Sequence, residues 1–382
     1  MADLAESAIW EGVYQMERTD PLDAGVGGNG QLNLAPKNLA NRTFWLRQKI
    51  ENLGIDLNDA VAQLSFERFL LGGQAGIAQG RLTLQSNQAI PTGDRVGANA
   101  TSLFYTPYNG NLIGLYNTSK QSWEVFEFAQ IELSLAALTA NTNYDIFLYD
   151  NNGVLTLETI AWSSHGAGTS ARNVSLARQN GIFIKSTDAR RYLGTIRMQA
   201  NGQCEQSLGL SGGAAGGNHP KQFVWNAENR RQYTAVVNDS TGSWTYNGAI
   251  RNKNNSANNR FGFVVGTSEG EALNVTSYAL TSTSGASNNI TNTRRAGFGL
   301  NQNTNYTIPN SGGIVGFTPS ADANIADGST GNRQIISTAS FRGNTLLGYN
   351  WIQEIEFSDT TGSVVTSWTG GSSSGSIITG WS

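Results

Sequence analysis

Cysteine and histidine are almost absent from this chain of 382 residues, which contains one cysteine and two histidines. The single cysteine, Cys204, excludes an internal disulfide framework, so we expect a chain that is made in, or tolerates, a reducing cytosol. Neither His165 nor His219 has a second histidine or a cysteine at metal-ligand spacing. We therefore expect no metal site.

Charge is scarce as well, because Lys, Arg, Asp and Glu supply only 14% of the residues and the net charge is −3. An average globular protein has about 25% charged residues. The chain has no basic region that would hold a nucleic-acid backbone and no apolar run long enough to span a membrane. Residues 1–10 contain acids where a signal peptide would have basic residues, so we expect synthesis in the cytoplasm without membrane insertion.

The sequence signatures of catalysis are missing too. There is no Gly-x-Ser-x-Gly elbow, and Cys204 lacks the signature of a histidine partner. The glycine-rich stretch Gly25–Gly30 lacks the Lys-Ser/Thr pair of a phosphate-binding loop. From these absences we predict no catalytic residues, no cofactor and no enzymatic activity.

Pairs of carboxylates are the remaining route to catalysis, since a glycan depolymerase needs two acids a few ångströms apart. Strand alternation would place Glu354 and Glu356 on one face, which is also the pattern of a solvated strand face. We favour the solvated face. The region has other acids that could contribute to such a pair: Asp145, Asp150, Glu158 and Asp188.

Glycine is abundant, with 45 residues, and short strand-like segments separated by turns follow residue 73. Asn152-Gly153 is the strongest hairpin signal, and similar signals are Asn109-Gly110, Asn180-Gly181, Asn201-Gly202 and Asn247-Gly248. No helical segment of convincing length interrupts these strands, which argues against a parallel α/β sheet. The sequence predicts a mainly β protein, with a short N-terminal helical segment followed by a large antiparallel β-sandwich or jelly-roll-like domain.

The composition predicts three regions along the chain. Residues 1–35 are irregular, residues 36–72 form a helical stem, and residues 73–382 form the β domain. Two Gly/Ser/Asn-rich passages, Ser207–Gly217 and Thr281–Asn292, are either loops or linkers, and we favour loops. A subdivision near residues 267–290 is the alternative that these passages leave open.

The helical stem has an apolar stripe with spacings of three, four and seven residues. Gly54 interrupts the stripe and is predicted to end the first helix. Two interpretations remain open, which are packing of the helices on their own chain and a short parallel coiled coil that joins identical subunits. The residues predicted to mediate oligomerisation are Leu46, Ile50, Leu53, Leu57, Val61 and Leu64.

Residues 10–53 resemble the N-terminal module of bacteriophage tail fibres, in which a turn ending in Thr-Asp-Pro precedes a helix containing Leu-Ala-Asn-Arg-Thr-x-Trp-Leu. Here Tyr14, Gln15, Glu17 and Thr19–Pro21 match the turn, and residues 39–43 with Trp45 and Leu46 match the helix. The resemblance implies attachment of the N-terminus to the tail or baseplate. The residues expected to carry that attachment are Trp10, Tyr14, Thr19, Asp20, Pro21, Asn41, Arg42, Thr43 and Trp45.

A second resemblance covers the β region, where segments such as Ala171–Gly181, Lys185–Thr195 and Tyr349–Glu354 are similar to a β domain of phage structural proteins. Together the two resemblances imply a virion protein that is made in the host cytoplasm. They also imply a homotrimer whose partners are tail or baseplate proteins of the same phage and a host-surface glycan or protein receptor. Six aromatic residues are candidates for receptor contacts: Tyr105, Tyr108, Trp123, Trp162, Tyr246 and Trp351.

Three functions remain as hypotheses. The first is a tail-fibre or adhesin subunit. The second is a purely structural baseplate, collar or head-decoration protein without receptor binding, and the third is a glycan depolymerase. The absence of catalytic motifs places the third last.

Overall fold

The computed structural model describes residues 42–54, 56–57, 59, 75–267, 272–284, 294–303, 316–317, 333–358 and 365–382. The chain divides into two compact units, residues 1–73 and residues 74–382. Some of the residues predicted to act in attachment or oligomerisation lie outside the described residues: Trp10, Tyr14, Thr19, Asp20, Pro21, Asn41, Val61 and Leu64.

The first unit contains a helix, α1, at residues 42–54. The prediction that Gly54 ends this helix is wrong, because Gly54 is helical and Asp56, Leu57 and Asp59 are helical as well. A glycine inside a helix costs only about 1 kcal/mol relative to alanine, which is too little to end a helix by itself. Among the described residues, no helix has the length and apolar character needed to cross a membrane.

The second unit is built from strands, with one short 3-10 turn at Lys253–Asn255. Its described strands are β1 (Gly80–Thr83), β2 (Arg95–Ala100), β3 (Ser102–Pro107), β4 (Leu112–Asn117), β5 (Ser122–Glu127), β6 (Ile131–Ser134), β7 (Asn143–Asn151), β8 (Val154–Ala161), β9 (Leu176–Gln179), β10 (Ile182–Lys185), β11 (Arg191–Ala200), β12 (Gln203–Ser207), β13 (Lys221–Gln222), β14 (Val224–Asn226), β15 (Gln232–Asn238), β16 (Ser243–Thr245), β17 (Gly248–Asn252), β18 (Arg260–Val265), β19 (Ala272–Ser284), β20 (Arg294–Leu300), β21 (Gly316–Phe317), β22 (Arg333–Asn344), β23 (Gly348–Ser358) and β24 (Val365–Trp381).

The largest sheet has 13 strands, and its main path runs β17-β23-β18-β13-β12-β11-β10-β9. Strands β7 and β14 also pair with β11, β8 pairs with β7, β2 pairs with β12, and β20 pairs with β23. The β13–β18 pair is parallel, with Lys221 opposite Gly262. A parallel pair needs a crossover connection, and here the intervening chain forms β14 to β17.

A second sheet has six strands in the order β15-β24-β19-β22-β21, with β16 also paired to β24. The long strand β19 lies between β24 and β22, so that Val275 is opposite both Ile378 and Phe341. Two smaller sheets complete the unit, one with the order β1-β3-β6 and the other formed by the β4–β5 hairpin.

Two main hydrophobic cores hold these sheets together. The first contains Leu82 and Leu103 of the three-stranded sheet together with Ile146, Ile196 and Met198 of the largest sheet. The second joins the two long sheets face to face, and its buried side chains include Val275, Phe341 and Ile378 from one sheet and Phe261 and Phe298 from the other. Apolar faces packed in this way define a β-sandwich. The predicted mainly β, sandwich-like fold is confirmed.

Asn152-Gly153 and Asn180-Gly181 form the hairpins that the sequence predicts, and Asn201-Gly202 connects the paired strands β11 and β12. The hairpin predictions at Asn109-Gly110 and Asn247-Gly248 are wrong, because the described strands on either side of these turns do not pair with each other. Asn152 and Gly153 have φ angles of 53° and 89°, and Asn180 and Gly181 have φ angles of 51° and 86°. Positive φ at both central residues is the conformation of a type I′ turn. These turns connect β7 with β8 and β9 with β10.

The passage predicted as a loop at Thr281–Asn292 begins inside a strand, because Thr281–Ser284 is the end of β19. Strand β19 also occupies much of the stretch near residues 267–290, where a subdivision is the sequence-based alternative. The loop prediction fails at this end because threonine favours strands and Thr281 is fully buried between the neighbouring strands β22 and β24.

Candidate functional site

Three of the residues predicted to attach the protein to a particle lie at the start of α1. They are Arg42, Thr43 and Trp45. The Trp45 side chain is half-buried, and Lys49 Nζ lies 5.7 Å from the centroid of its ring. The other predicted attachment residues lie outside the described part of the chain, so the arrangement of the whole set stays a prediction.

Three apolar side chains of α1 and the helical Leu57 beyond it form one exposed row, which we call the α1 stripe and define as Leu46, Ile50, Leu53 and Leu57. Their exposed fractions are 48%, 68%, 65% and 65%. The spacing of four, three and four residues places them on one helical face. Arg47 and Glu51 lie off this row and form an exposed ion pair of 3.0 Å. Among the described residues, none covers the α1 stripe.

The six aromatic residues singled out from the sequence do not form one site. Tyr105, Trp123 and Trp162 are at most 5% exposed and belong to the interior. The other three are half-buried, and each has an arginine guanidinium over its ring: Arg81 on Tyr108 at 5.7 Å, Arg251 on Tyr246 at 3.5 Å and Arg260 on Trp351 at 3.9 Å.

Two tyrosines that the sequence analysis did not single out line a groove of about 300 Å³. We call it the tyrosine groove and define it by Tyr116, Glu124, Tyr149, Asp150, Asp188 and Arg190. The β4–β5 hairpin forms one wall, and the end of β7 and the turn between β10 and β11 form the other. These segments are about 20 or more residues apart in the sequence, and no local motif joins them, so the sequence alone does not indicate this site.

A network of charges fixes the second wall of the tyrosine groove. The guanidinium of Arg190 lies 3.9 Å from the centroid of the Tyr149 ring. Arg190 also pairs with Glu158 at 2.7 Å and with Asp188 at 3.0 Å. Lys185 pairs with the same two carboxylates, at 3.0 Å and 2.9 Å. The ring of Tyr149 is therefore held in one position by a fully paired arginine.

Contacts between residues that are close in the sequence hold the first wall, which is the β4–β5 hairpin. The ring of Tyr116 meets Trp123 edge-on, with centroids 5.5 Å apart. Glu124 accepts hydrogen bonds from Asn117 at 2.9 Å and from Lys120 at 2.5 Å. These bonds lower the pKa of Glu124 below its usual value, with the bond from Lys120 making the largest contribution. Glu124 is thus a fixed, ionised group at the rim of the groove.

A larger groove of about 550 Å³ lies beside the Gly-rich passage after β12. Glu205 is buried there and pairs with Arg95 at 2.9 Å and Lys221 at 2.6 Å. Asp94 accepts hydrogen bonds from the backbone N–H groups of Leu210 and Ser211, both at 2.7 Å. Among the described residues that line it there is no Trp, Tyr or Phe, and its carboxylates serve to hold the loop.

Three of the acids considered for catalysis, Glu354, Glu356 and Asp145, are buried, whereas Asp150 and Asp188 are exposed and Glu158 is half-buried. Glu354 and Glu356 are 1% and 0% exposed, so the interpretation of these residues as a solvated strand face is wrong. Glu354 pairs with Lys253 at 3.1 Å, and Glu356 pairs with Arg251 at 2.8 Å. Burial raises the pKa of both carboxyl groups. Charged partners rather than water satisfy these acids, so a glycan could not reach them.

Asp145 is a third buried acid and is held in the same way. Its carboxylate accepts hydrogen bonds from Arg172 at 2.6 Å and from Thr195 at 2.6 Å. Burial raises the pKa of Asp145, and the positive charge of Arg172 opposes that rise. Arg172 also lies 4.6 Å from the centroid of the Trp162 ring. This cluster joins β7 and β11 to the segment between β8 and β9 and has no exposed carboxylate oxygen to offer a substrate.

Cys204 is fully buried, and both histidines are half-buried. Burial lowers the pKa of His219 to about 4, assisted by Lys221 and Arg260. Burial raises the pKa of the Cys204 thiol to about 12, which leaves it a poor nucleophile. Across the described ranges, no three His, Cys, Asp or Glu side chains are grouped so that they could hold a metal ion.

Comparisons with known proteins give little. No protein-family model matches the chain, and no curated protein matches it. Among solved structures, a chain from the structure of the infectious bursal disease virus Gx strain aligns at 11% sequence identity over 74% of this chain and 77% of that chain. The TM-score of that alignment is 0.12, which is too low to inform either fold or function.

Proposed function

We propose that this protein is a non-enzymatic virion protein of a tailed bacteriophage, namely a tail-fibre or adhesin subunit. In this proposal the N-terminal segment attaches to tail or baseplate proteins, and α1 joins identical subunits into a homotrimer. The β unit then faces the host surface, where it binds a glycan or protein receptor. The protein is made in the host cytoplasm and acts in the virion.

The α1 stripe is the observation that carries this proposal. Large aliphatic side chains that are exposed in regular four-three spacing are costly in water and favourable once a second helix covers them. Helix α1 includes the C-terminal part of the segment that resembles the phage attachment module. An assembly surface at this position fits a fibre subunit that docks by its N-terminus and oligomerises next to the docking segment.

The burial of Glu354, Glu356 and Asp145 argues against a catalytic role for these three acids. General acid–base chemistry on a glycan requires two carboxyl groups that contact the substrate. Glu354, Glu356 and Asp145 are each at least 98% buried and engaged with a basic side chain. These contacts stabilise the sandwich. The exposed grooves on the surface are where a receptor could be recognised.

The test of attachment uses a deletion of residues 1–35 in phage that lacks an intact copy of the gene. We expect the truncated protein to accumulate in folded form in infected cells and to be absent from purified particles, as measured by mass spectrometry. A full-length variant, Gln48→Ala, controls for expression from the same vector. Particles that still carry the truncated protein would contradict the attachment role.

A purely structural baseplate, collar or decoration protein is the alternative, and binding to cells separates it from the adhesin. Purified full-length protein with a fluorescent label should bind host cells at micromolar concentration and should be displaced by excess unlabelled protein. Folded, oligomeric protein that enters particles but does not bind cells would favour the structural alternative.

A further inference from the structure

The tyrosine groove has the dimensions and construction of a small-ligand site. Its volume of about 300 Å³ lies at the lower end of the range of ligand pockets, which is about 300–1,000 Å³. A volume of this size accommodates one or two sugar rings. The β4–β5 hairpin, the end of β7 and the turn between β10 and β11 form its walls. Paired strands therefore hold the residues that line the groove.

The two tyrosine rings supply flat apolar surface next to polar groups. Tyr116 and Tyr149 are both half-buried, so part of each ring remains accessible. Trp123 contacts the Tyr116 ring edge-on, and Arg190 covers one face of the Tyr149 ring. Within the described residues, neither tyrosine hydroxyl has a hydrogen-bond partner. An amphipathic ring with a free hydroxyl suits a ligand that is apolar on its C–H face and polar at its edge.

Asp150 offers an open hydrogen-bond acceptor at the same groove. Its side chain is exposed, and one carboxylate oxygen accepts the backbone N–H of Gly153 at 2.6 Å. The other oxygen has no partner among the described residues. A carboxylate can only accept hydrogen bonds, so its complement is a donor such as a sugar hydroxyl. The turn at Asn152-Gly153 fixes the direction of this carboxylate.

The balance of charge in the groove selects against an ionic ligand. The lining has three carboxylates, Glu124, Asp150 and Asp188, and two guanidinium groups, Arg190 and Arg191, which gives a net charge of −1. Glu124 and Asp188 are already paired with basic side chains. An acidic sugar would meet like charge, and an organic cation would find a single unpaired carboxylate. An uncharged polyol can use the rings and Asp150 without such a cost.

We propose that the tyrosine groove binds an uncharged sugar unit of a host-surface glycan. The C–H face of the sugar packs on Tyr116 and Tyr149, and its hydroxyl groups donate hydrogen bonds to Asp150. This inference rests on the proposed host-facing role of the β unit and specifies the chemistry of the receptor. It can fail while attachment through residues 1–35 and subunit assembly through α1 both remain correct.

The experiment is saturation-transfer NMR on the full-length protein with four neutral probes. These are the methyl glycosides of glucose, galactose, mannose and N-acetylglucosamine. Glucuronic acid and choline serve as the charged comparison ligands. The variants are Tyr149→Ala, which removes a ring, and Asp150→Asn, which keeps the contact to Gly153 but removes the charge. Tyr246→Ala is the matched control, because Arg251 stacks on Tyr246 outside the groove as Arg190 stacks on Tyr149 within it.

We expect saturation transfer to at least one neutral glycoside and weaker or no transfer to the charged ligands. Binding should weaken by about tenfold or more in Tyr149→Ala and in Asp150→Asn, and it should stay unchanged in Tyr246→Ala. No binding of any neutral glycoside would overturn the proposal. Binding that persists in both groove variants would overturn the proposal as well. Binding of choline or glucuronic acid in place of a neutral glycoside would also overturn it. Asp150 is an exposed residue, so its variant tests the site even if Tyr149→Ala fails to fold.

Discussion

Lys253 Nζ lies 3.1 Å from Glu354 Oε2, and the two side chains are 3% and 1% exposed. Ser376 of the opposite sheet donates a hydrogen bond of 2.6 Å to the other carboxylate oxygen of Glu354. The three residues therefore connect the 3-10 turn, the largest sheet and the six-stranded sheet through the interior. Two charges buried together stabilise a fold only while both partners are present, since either one alone is left uncompensated.

Removal of one partner should therefore be costly. We expect Lys253→Met to lower the free energy of unfolding by about 3–5 kcal/mol, because Glu354 would be buried without its counter-charge. The double variant Lys253→Met with Glu354→Met should recover a large part of this loss. Urea unfolding followed by tryptophan fluorescence measures both values. If the free energy of unfolding of Lys253→Met were within about 1 kcal/mol of the parent value, the pair would not be what holds the two sheets together.

Asp239 should give the protein a stability that is lost in acid. Burial alone would raise the pKa of Asp239, but hydrogen bonds from Asn259, Asn254 and Thr241 outweigh it and lower the pKa to about 2. A carboxyl group whose pKa is lower in the folded state stabilises that state above its unfolded pKa of about 4. The contribution then disappears as the pH falls from about 4 towards 2.

The measurement compares the parent protein with Asp239→Asn in urea unfolding between pH 2 and pH 6. The parent should be more stable at pH 5 to 6, and the difference should vanish near pH 2. The difference is the useful quantity because the raised pKa of Glu356, which Asp239 does not influence, acts in the opposite direction in both proteins. A difference that is constant with pH would contradict a role for the charge of Asp239.

The fold class follows from the sequence because hairpin turns and alternating strands are local signals. The long strand β24 was less visible, since its centre has the sequence Gly-Gly-Ser-Ser-Ser-Gly-Ser, which is typical of loops. In the structure Ser374 accepts a hydrogen bond from the backbone of Leu280 and Ser376 binds Glu354. Small hydroxyl side chains thus satisfy buried polar groups there, where strand prediction expects large apolar residues.

The sites were harder to predict than the fold, for a different physical reason. The α1 stripe is visible in the sequence because a helix brings residues three and four apart onto one face. The tyrosine groove depends on the pairing of strands such as β7 with β11, where Tyr144 is opposite Ile196. Such long-range register cannot be obtained from one sequence. The burial of Glu354 and Glu356 depends in the same way on the sheet that covers them.

The α1 stripe should control the oligomeric state. We expect the parent protein to sediment with about three times the mass of one chain. Ile50→Lys should shift it to monomer at micromolar concentration, because a charge would be buried in an apolar seam. Gln48→Lys adds the same charge on an exposed part of α1 outside the stripe and should leave the mass unchanged. A parent protein that is already monomeric would remove the oligomer from the proposed function.

The hairpin that carries Tyr149 and Asp150 should depend on the glycine in its turn. Gly153 has φ of 89°, and a Cβ placed there would meet no atom within 4 Å, so Gly153→Ala tests backbone strain without a steric clash. We expect a loss of about 1–2 kcal/mol in the free energy of unfolding, which is the cost of a left-handed conformation for an L-residue. Gly242→Ala is the matched control, because its surroundings are equally open and its φ lies outside the left-handed region. Equal effects of the two substitutions in urea unfolding would mean that the positive φ of Gly153 is not required. A loss confined to Gly153→Ala would show that the turn itself holds the wall of the tyrosine groove in place.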